Sequence, residues 1–188
     1  VLRIESDVAG QPGGAGSAVF RVNASGAVFS DMSYTSNGAD YAEWMKSRDQ
    51  LLHGQVVCFD SRNENSVRLC SGERDAQVMG IVSHRSQAAF IGNSVHGADG
   101  TVPPGYYLVA MLGQVATKVT AENGPIVPGD ALTSASRPGY AMKANPGDST
   151  VAVALEGLQS GEATVQSLIS RHNAEQTVAL VEERVQET

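Results

Sequence analysis

Two carboxylates and two aromatic rings share one short segment, Asp40-Tyr41-Ala42-Glu43-Trp44, and they are the residues best suited to acid–base chemistry. Large rings shield a carboxyl group from water, which raises its pKa and lets it act as a general acid. Asp40 and Glu43 share a face in a helical turn but point to opposite faces of a strand. The alternative is a structural role, in which a carboxylate accepts backbone hydrogen bonds at the start of a strand.

The other reactive residue types show no pattern that marks a site. Ser83-His84 and Ser94-Val95-His96 lack the surrounding motif of a serine nucleophile. Asn37-Gly38 is typical of a tight turn, with cleavage of the chain by the Asn side chain as the alternative. The histidines show no HxH, HxxxH or HExxH spacing, so no metal site and no cofactor are predicted. They are His53, His84, His96 and His172.

The two cysteines, Cys58 and Cys70, lie in one predicted hairpin, GQVVCFDSRNENSVRLCSG. If its turn is centred on residues 63–65, the cysteines face each other on paired strands. Two cysteines are too few for a disulfide framework or a zinc site. Two interpretations stay open: a pair of small buried apolar side chains, or a disulfide across the strands.

The composition indicates a β-rich protein without a nucleic-acid or membrane partner. Charged residues make up 18% and aromatic residues 5%, while glycine occurs 20 times, which favours strands and many turns. The net charge is -7 and the basic residues form no cluster, so no face for binding phosphate is expected. No apolar run reaches the roughly 18 residues that a membrane span needs.

Three regions are predicted along the chain, and the expected fold is mainly β. Residues 1–38 combine a Gly-rich connector with a β-hairpin, AVFRVNASGAVFS, whose turn lies at Ser25-Gly26. Residues 39–170 form a duplicated β domain of barrel-like or sandwich-like units. Residues 171–188 form a short C-terminal α-helix.

The duplication is predicted from an ungapped alignment of the chain with itself at an offset of 75 residues. Gly54 aligns with Gly129 and Gly72 with Gly147, and all four glycines fall in predicted turns. The repeat units are expected to superpose; they span residues 50–83 and 125–157. Two further apolar strands are expected, one on each side of Gly113.

The C-terminal region carries a helical pattern. Asn173 is a typical N-cap, and Gln176 completes a capping box. Val178, Val181 and Val185 follow the spacing of a coiled-coil seam. Because so short a helix is unstable alone in water, the valines pack either on their own domain or in an oligomeric bundle.

Several segments carry a family resemblance: FRVNASGAVFSD running into GADYAEW, then VMGIVS, VTAENGPIVPGDALTSASRPGYAMKA and VALEG. They resemble the autoproteolytic intramolecular-chaperone domain that closes phage neck appendages and tail spikes, a glutamic-peptidase-like family. The later segments also look like C-terminal domains of bacterial surface fibres. The resemblance implies a homotrimer that guides folding of the upstream part of its parent chain. In some members the chain is cut near the segment matching Asp40 to Glu43, which makes both carboxylates catalytic candidates.

The favoured function is a self-associating structural domain that nucleates, caps or tiles a fibre or surface assembly. The alternatives are a self-cleaving chaperone with single-turnover peptidase activity, and a module that binds a ligand or glycan. Activity on a diffusible substrate is not expected. The expected partners are copies of the same chain, as a trimer, and the upstream part of the parent chain. The expected location is extracellular, at a cell surface or in a virion assembly.

Overall fold

The computed structural model describes residues 2–5, 18–22, 24–25, 27–30, 38–93 and 101–172. The chain divides into two compact units, Val1–Ser36 and Asn37–Thr188. The described residues form strands and no helix, which confirms the predicted mainly-β fold class. Within the same residues, no helix is long and apolar enough to cross a membrane.

The first unit is a three-stranded antiparallel sheet in the order β1-β2-β3. β2 (Ala18–Val22) and β3 (Val28–Ser30) form the predicted hairpin, with Val22 opposite Val28. β1 (Leu2–Glu5) pairs along the other edge of β2. This strand has no counterpart in the sequence prediction, because four residues are too short for a periodic pattern. It supplies the third strand that a lone hairpin lacks.

The second unit contains strands β4 to β13 among its described residues. Their bounds are β4 Asp40–Lys46, β5 Val56–Phe59, β6 Val67–Leu69, β7 Val78–Val82, β8 Ala88–Gly92, β9 Tyr106–Thr120, β10 Ala131–Ser134, β11 Ala141–Lys143, β12 Thr150–Ala154 and β13 Glu162–His172. β9 is the longest, with 15 residues. Its first half pairs with β4 and its second half with β13, so one strand serves two groups of strands.

The strands around the first half of β9 close into a small barrel. This half pairs with β4 and β7, β7 pairs with β5, and β5 pairs with β6, all antiparallel. A parallel bridge from Lys46 to Ser66 closes the ring. β8 is an extra strand, parallel to β4. We call this group the first barrel.

The second half of β9 repeats this arrangement. It pairs with β13, β13 with β12, β12 with β10, and β10 with β11, all antiparallel. A parallel pair between Ala141 of β11 and Val119 of β9 closes the ring. In this second barrel, β9 takes the place that β4 has in the first.

Backbone hydrogen bonds also match between the two barrels. The Gly54 amide donates to the Val82 carbonyl at 2.9 Å, and the Gly129 amide donates to the Ala154 carbonyl at 2.8 Å. Val82 and Ala154 each donate back to the residue after the glycine, at 2.8 Å. Both glycines have positive φ, 81° and 96°. The aligned glycines thus occupy equivalent places before β5 and β10; superposition of the two units stays a prediction.

The ungapped form of the alignment is wrong beyond the first repeated strand. β5 and β10 keep the offset of 75 residues. β6 and β11 are offset by 74, because Val57 pairs with Leu69 whereas Leu132 pairs with Lys143. β7 and β12 are offset by 72, because Val82 bonds Gly54 whereas Ala154 bonds Gly129. The connections of the second barrel are shorter, and runs of similar apolar residues conceal such deletions.

β7 lies between β5 and β9, and all five of its residues are buried. This explains its continuous apolar sequence VMGIV, which lacks the alternation of a strand with one wet face. The largest apolar cluster includes Val56 and Ile81 of the first barrel and Leu132 and Val151 of the second. The two barrels therefore share a core.

The β5–β6 hairpin contains a disulfide between Cys58 and Cys70, whose Cα atoms are 5.1 Å apart. Cys58 pairs with Arg68, so the turn is centred one residue earlier than predicted and the cysteines are diagonal neighbours. Asp60 stabilises this turn, since its carboxylate accepts a hydrogen bond from the Asn63 side chain at 2.5 Å. Both cysteines are fully buried.

Candidate functional site

Asp40 and Glu43 both lie on β4, where they point to opposite faces. Asp40, Ala42 and Trp44 are buried, whereas Tyr41 is exposed and Glu43 is partly exposed. The helical-turn alternative is therefore wrong. Because side chains alternate along a strand, the two carboxylates of one chain form no dyad.

Asp40 is the buried member of the pair, with 1% of its surface exposed. Neither of its carboxylate oxygens has a hydrogen-bond partner among the described residues. Burial raises the pKa of Asp40, while the Ser83 hydroxyl, the Asp40 amide and the His53 ring lower this pKa to a smaller extent. The Ser83 hydroxyl acts by proximity without hydrogen-bond geometry, because it too lacks a partner within the described residues. Asp40 therefore keeps its proton to a higher pH than an ordinary aspartate.

Glu43 has a different environment, on the outer face of β4. It accepts a hydrogen bond at Oε1 from the Tyr41 hydroxyl at 2.7 Å, and this bond raises the pKa of Tyr41. The expected backbone hydrogen bond to one of the two carboxylates is not found among the described residues. Trp44 lies on the same face of β4 as Asp40, whereas Tyr41 lies on the face of Glu43. The two rings therefore do not enclose one carboxylate together.

A cavity of about 300 Å³ lies beside the neighbours of Asp40. Its walls include His53 and Ser83, together with Trp44, His84 and Arg85. The Arg85 guanidinium lies over the Trp44 ring, 5.3 Å from its centroid. The two histidine rings are 6.4 Å apart and nearly perpendicular. The cavity thus contacts both side chains that act on Asp40.

Sequence patterns do not identify His53 and Ser83 as neighbours of Asp40. The adjacent pair Ser83-His84 suggests a different histidine, yet the His84 ring bonds Ser86 at 2.8 Å. His53 reaches this place because the next residue, Gly54, donates its amide to the carbonyl of the residue before Ser83. The repeat alignment singles out Gly54 as a turn residue, but it does not indicate the hydrogen bond to Val82.

Three large exposed side chains form a row on the outer face of the first barrel. Tyr41 pairs with Phe90 of β8 on one side and with Leu112 of β9 on the other. The side chains of Tyr41, Phe90 and Leu112 are 37%, 51% and 66% exposed. Of the described strands, only β4 pairs with β8, so the row ends at an edge strand. We call these three residues the outer apolar row.

The fold is similar to that of the pre-mature gene product 12 of bacteriophage phi29. That structure aligns over 81% of this chain, with a TM-score of 0.58 and 14% sequence identity, and this chain spans 24% of its length. The C-terminal fragment of the same gene product aligns over 70% of this chain and 100% of the fragment, at 14% identity. Its TM-score of 0.46 is too low to support an argument. No protein-family model and no curated protein matches the sequence. At such low identity the likeness shows a shared fold alone.

Other predicted features lie apart from Asp40 or outside the described residues. No group of three His, Cys, Asp or Glu side chains in the described ranges could hold a metal ion. The predicted helix, with Val178, Val181 and Val185, lies outside the described residues. So do His96, Asn37 and the Gly-rich connector, residues 10–16.

Proposed function

We propose that this chain is a self-associating structural domain of a phage-type fibre or appendage. The observation that carries the proposal is the outer apolar row. Large apolar side chains that stay in water forgo the free energy of burial, and their alignment across three strands is typical of a surface that another protein covers. The fold shared with a phage gene product supports a place in a virion assembly.

A second copy of the chain is the proposed partner at this row. Of the described strands only β4 pairs with β8, and the exposed side chains of Tyr41, Phe90 and Leu112 offer apolar contact to a copy. A symmetric oligomer buries the same patch on every subunit, so the free energy of burying the row is gained once for each subunit. The C-terminal helix, with its valine seam, is proposed as a second element of self-association. This assembly is proposed to guide folding of the upstream part of the parent chain.

Replacing Leu112 with Glu tests self-association directly. Leu112 is the most exposed member of the row, so the variant should fold, while a charge in the buried interface should weaken the oligomer. We expect the subunit dissociation constant to rise by about tenfold or more, equivalent to about 1.4 kcal/mol. Sedimentation equilibrium over a range of concentrations measures this constant.

Leu52→Glu is the matched control for Leu112→Glu. Leu52 is 60% exposed and lies in the connection between β4 and β5, outside the row. This variant should associate as the unmodified chain does. A monomeric unmodified chain, or equal dissociation constants for the two variants, would contradict the proposal.

Self-cleavage near Asp40 is a second candidate function, favoured by the environment of that residue. A general acid must hold its proton at the working pH, and burial raises the pKa of Asp40 in the required direction. Glu43 of the same chain lies on the other face of β4 and cannot share this proton. Any role for Glu43 in cleavage therefore requires a second subunit.

Mass spectrometry of the chain, incubated from acidic to neutral pH, tests self-cleavage. A cut near Asp40 should yield a fragment that begins close to this residue. Asp40→Asn should abolish the fragment, because the buried acid is lost, and Glu43→Gln should abolish it only if subunits share the site. Glu64→Gln, in the exposed β5–β6 turn, is the control and should cut normally. A chain that stays whole at every pH, also when extended upstream, would eliminate this candidate.

A further inference from the structure

The cavity of the first barrel combines basic side chains with apolar walls. It has a volume of about 300 Å³, and its basic side chains are His53, His84 and Arg85. No Asp or Glu among the described residues lines it. Because the whole chain has a net charge of -7, a basic cavity without carboxylates differs from the rest of the molecule. Such a local charge favours an anion as the ligand.

Arg85 provides a permanent positive charge at the exposed side of this cavity. Its guanidinium lies over the Trp44 ring, 5.3 Å from the ring centroid. It forms no ion pair with a carboxylate of the described residues. A guanidinium stays charged throughout the physiological pH range and binds a planar carboxylate through two parallel hydrogen bonds. Arg85 can therefore bind the carboxylate of a ligand without giving up an ion pair to a described residue.

The two histidine rings, 6.4 Å apart, add hydrogen-bonding atoms to the wall. The Ser86 amide donates to Nδ1 of His84 at 3.2 Å, so the neutral His84 ring carries its proton on Nε2 and can donate it to an anion. The Nε2 atom of His53 is buried and has no hydrogen-bond partner among the described residues. Buried polar atoms normally have a partner, so this atom favours a ligand or a water molecule beside it.

The remaining walls of the cavity are mostly apolar or aromatic. Leu51, Val82 and Leu108 are buried side chains of its lining, and Tyr106 and Tyr107 contribute two rings. An ion without an apolar part, such as inorganic phosphate, would leave these walls without a complementary surface. A ring or a branched hydrocarbon attached to the acid would cover them and gain the free energy of apolar burial.

Backbone hydrogen bonds hold this wall in place. The Ser83 amide donates to the Leu108 carbonyl at 2.8 Å, which fixes the start of the β7–β8 connection against β9. The Gln87 amide donates to the His84 carbonyl at 2.9 Å, which closes a turn that contains Arg85. A preformed site loses little free energy to ordering when its ligand binds.

We propose that this cavity binds a small organic acid, in which a carboxylate is attached to an aromatic or branched apolar group. The carboxylate pairs with Arg85, which is exposed, and the apolar group lies against Leu51 and Leu108, which are buried. No residue of the outer apolar row lines the cavity, so this site is independent of the proposed self-association.

Phenylacetate is the probe for this site, and the single tryptophan of the chain, Trp44, reports its binding. Titration of the full chain should change the Trp44 fluorescence until it saturates, and should shift the ring NMR signals of the lining histidines. Phenylacetamide has nearly the same shape without the charge, and inorganic phosphate has the charge without the ring. Each should bind at least about tenfold more weakly than phenylacetate.

Arg85→Gln separates binding of the carboxylate from binding of the ring. Arg85 is exposed, so the variant should fold. We expect the dissociation constant of phenylacetate to rise about tenfold and that of phenylacetamide to stay nearly unchanged, because only the charged pair is lost. Arg171→Gln is the matched control, since the Arg171 guanidinium also lies over a ring, 5.2 Å from the centroid of Phe59, and does not line this cavity. It should bind phenylacetate as the unmodified chain does.

Three results would overturn the proposal. The first is the absence of a saturable response to phenylacetate in both the fluorescence and the histidine signals. The second is equal affinity for phenylacetate and phenylacetamide. The third is an equal loss of affinity for both ligands in Arg85→Gln, which would mean that Arg85 shapes the cavity without binding the acid. N-acetylphenylalanine identifies the source of the acid: tighter binding than phenylacetate indicates the end of a polypeptide, and weaker binding indicates a free acid.

Discussion

Asp40 is a buried carboxyl group with a raised pKa, and this property links the stability of the domain to pH. Burial raises its pKa above the 3.8 of an ordinary aspartate. Below the unfolded-state pKa the group is protonated in both states, and its contribution to stability is fully present. As the pH rises through the folded-state pKa, the buried group ionises and that contribution is lost. The domain should therefore lose stability from this residue as the pH rises.

Asp40→Asn removes this titration and keeps the shape of the side chain. We expect the free energy of unfolding of the variant, relative to the unmodified chain, to improve steadily from acidic to neutral pH. The total gain is about 1.4 kcal/mol for each unit by which the folded pKa exceeds the unfolded one. Denaturant unfolding at a series of pH values measures it.

Asp130→Asn is the control, with the opposite sign. Burial raises the pKa of Asp130, but the Val127 amide and Lys143 together lower it more, so the net shift is downward. Its contribution is present above the unfolded-state pKa and is lost as the pH falls. Asp130→Asn should therefore cost most stability near neutral pH. Parallel profiles for the two variants would contradict the interpretation of Asp40 as a buried acid.

The candidate site was predictable from the sequence only as far as β4 itself. The carboxylates and rings of this segment indicate acid–base chemistry, and strand periodicity places Asp40 and Glu43 on opposite faces. The neighbours of Asp40 were not predictable, because Ser83 and His53 come from the end of β7 and the connection before β5. They meet through strand pairing and one glycine hydrogen bond, and neither leaves a local motif.

At the scale of strands, most elements were predictable from turn residues and apolar runs. The β2–β3 and β5–β6 hairpins and the buried strand β7 follow such signals. β9 does not, because a glycine in an apolar segment predicts two strands, one on each side of Gly113. The structure has one continuous strand through Gly113, since both of its halves remain paired, with β4 and then with β13. β8 was missed because its sequence, AAFIG, is short and its partner β4 is distant in the chain.

At the scale of the whole molecule, β9 makes the two barrels interdependent. Each barrel uses one half of this strand, and the largest apolar cluster draws on both barrels. Neither barrel can lose β9 without opening the other. We therefore expect residues 38–172 to unfold as one cooperative body, although the chain contains two similar units.

Gly113 lies where β9 passes from one barrel to the other, and Gly113→Ala tests this interdependence. Its φ is +98°, and an added Cβ would lie 2.3 Å from the carbonyl oxygen of Ala39, the residue immediately before β4. Gly124→Ala is the matched control, with a φ of +93° and no atom within 4 Å of the added Cβ. The control should lose about 1 kcal/mol of unfolding free energy through backbone strain alone. Gly113→Ala should lose about 3 kcal/mol, because the clash adds to the strain, and it should still unfold in a single transition. Equal losses would show that β4 moves aside at little cost, and two separate transitions would show that the barrels are independent.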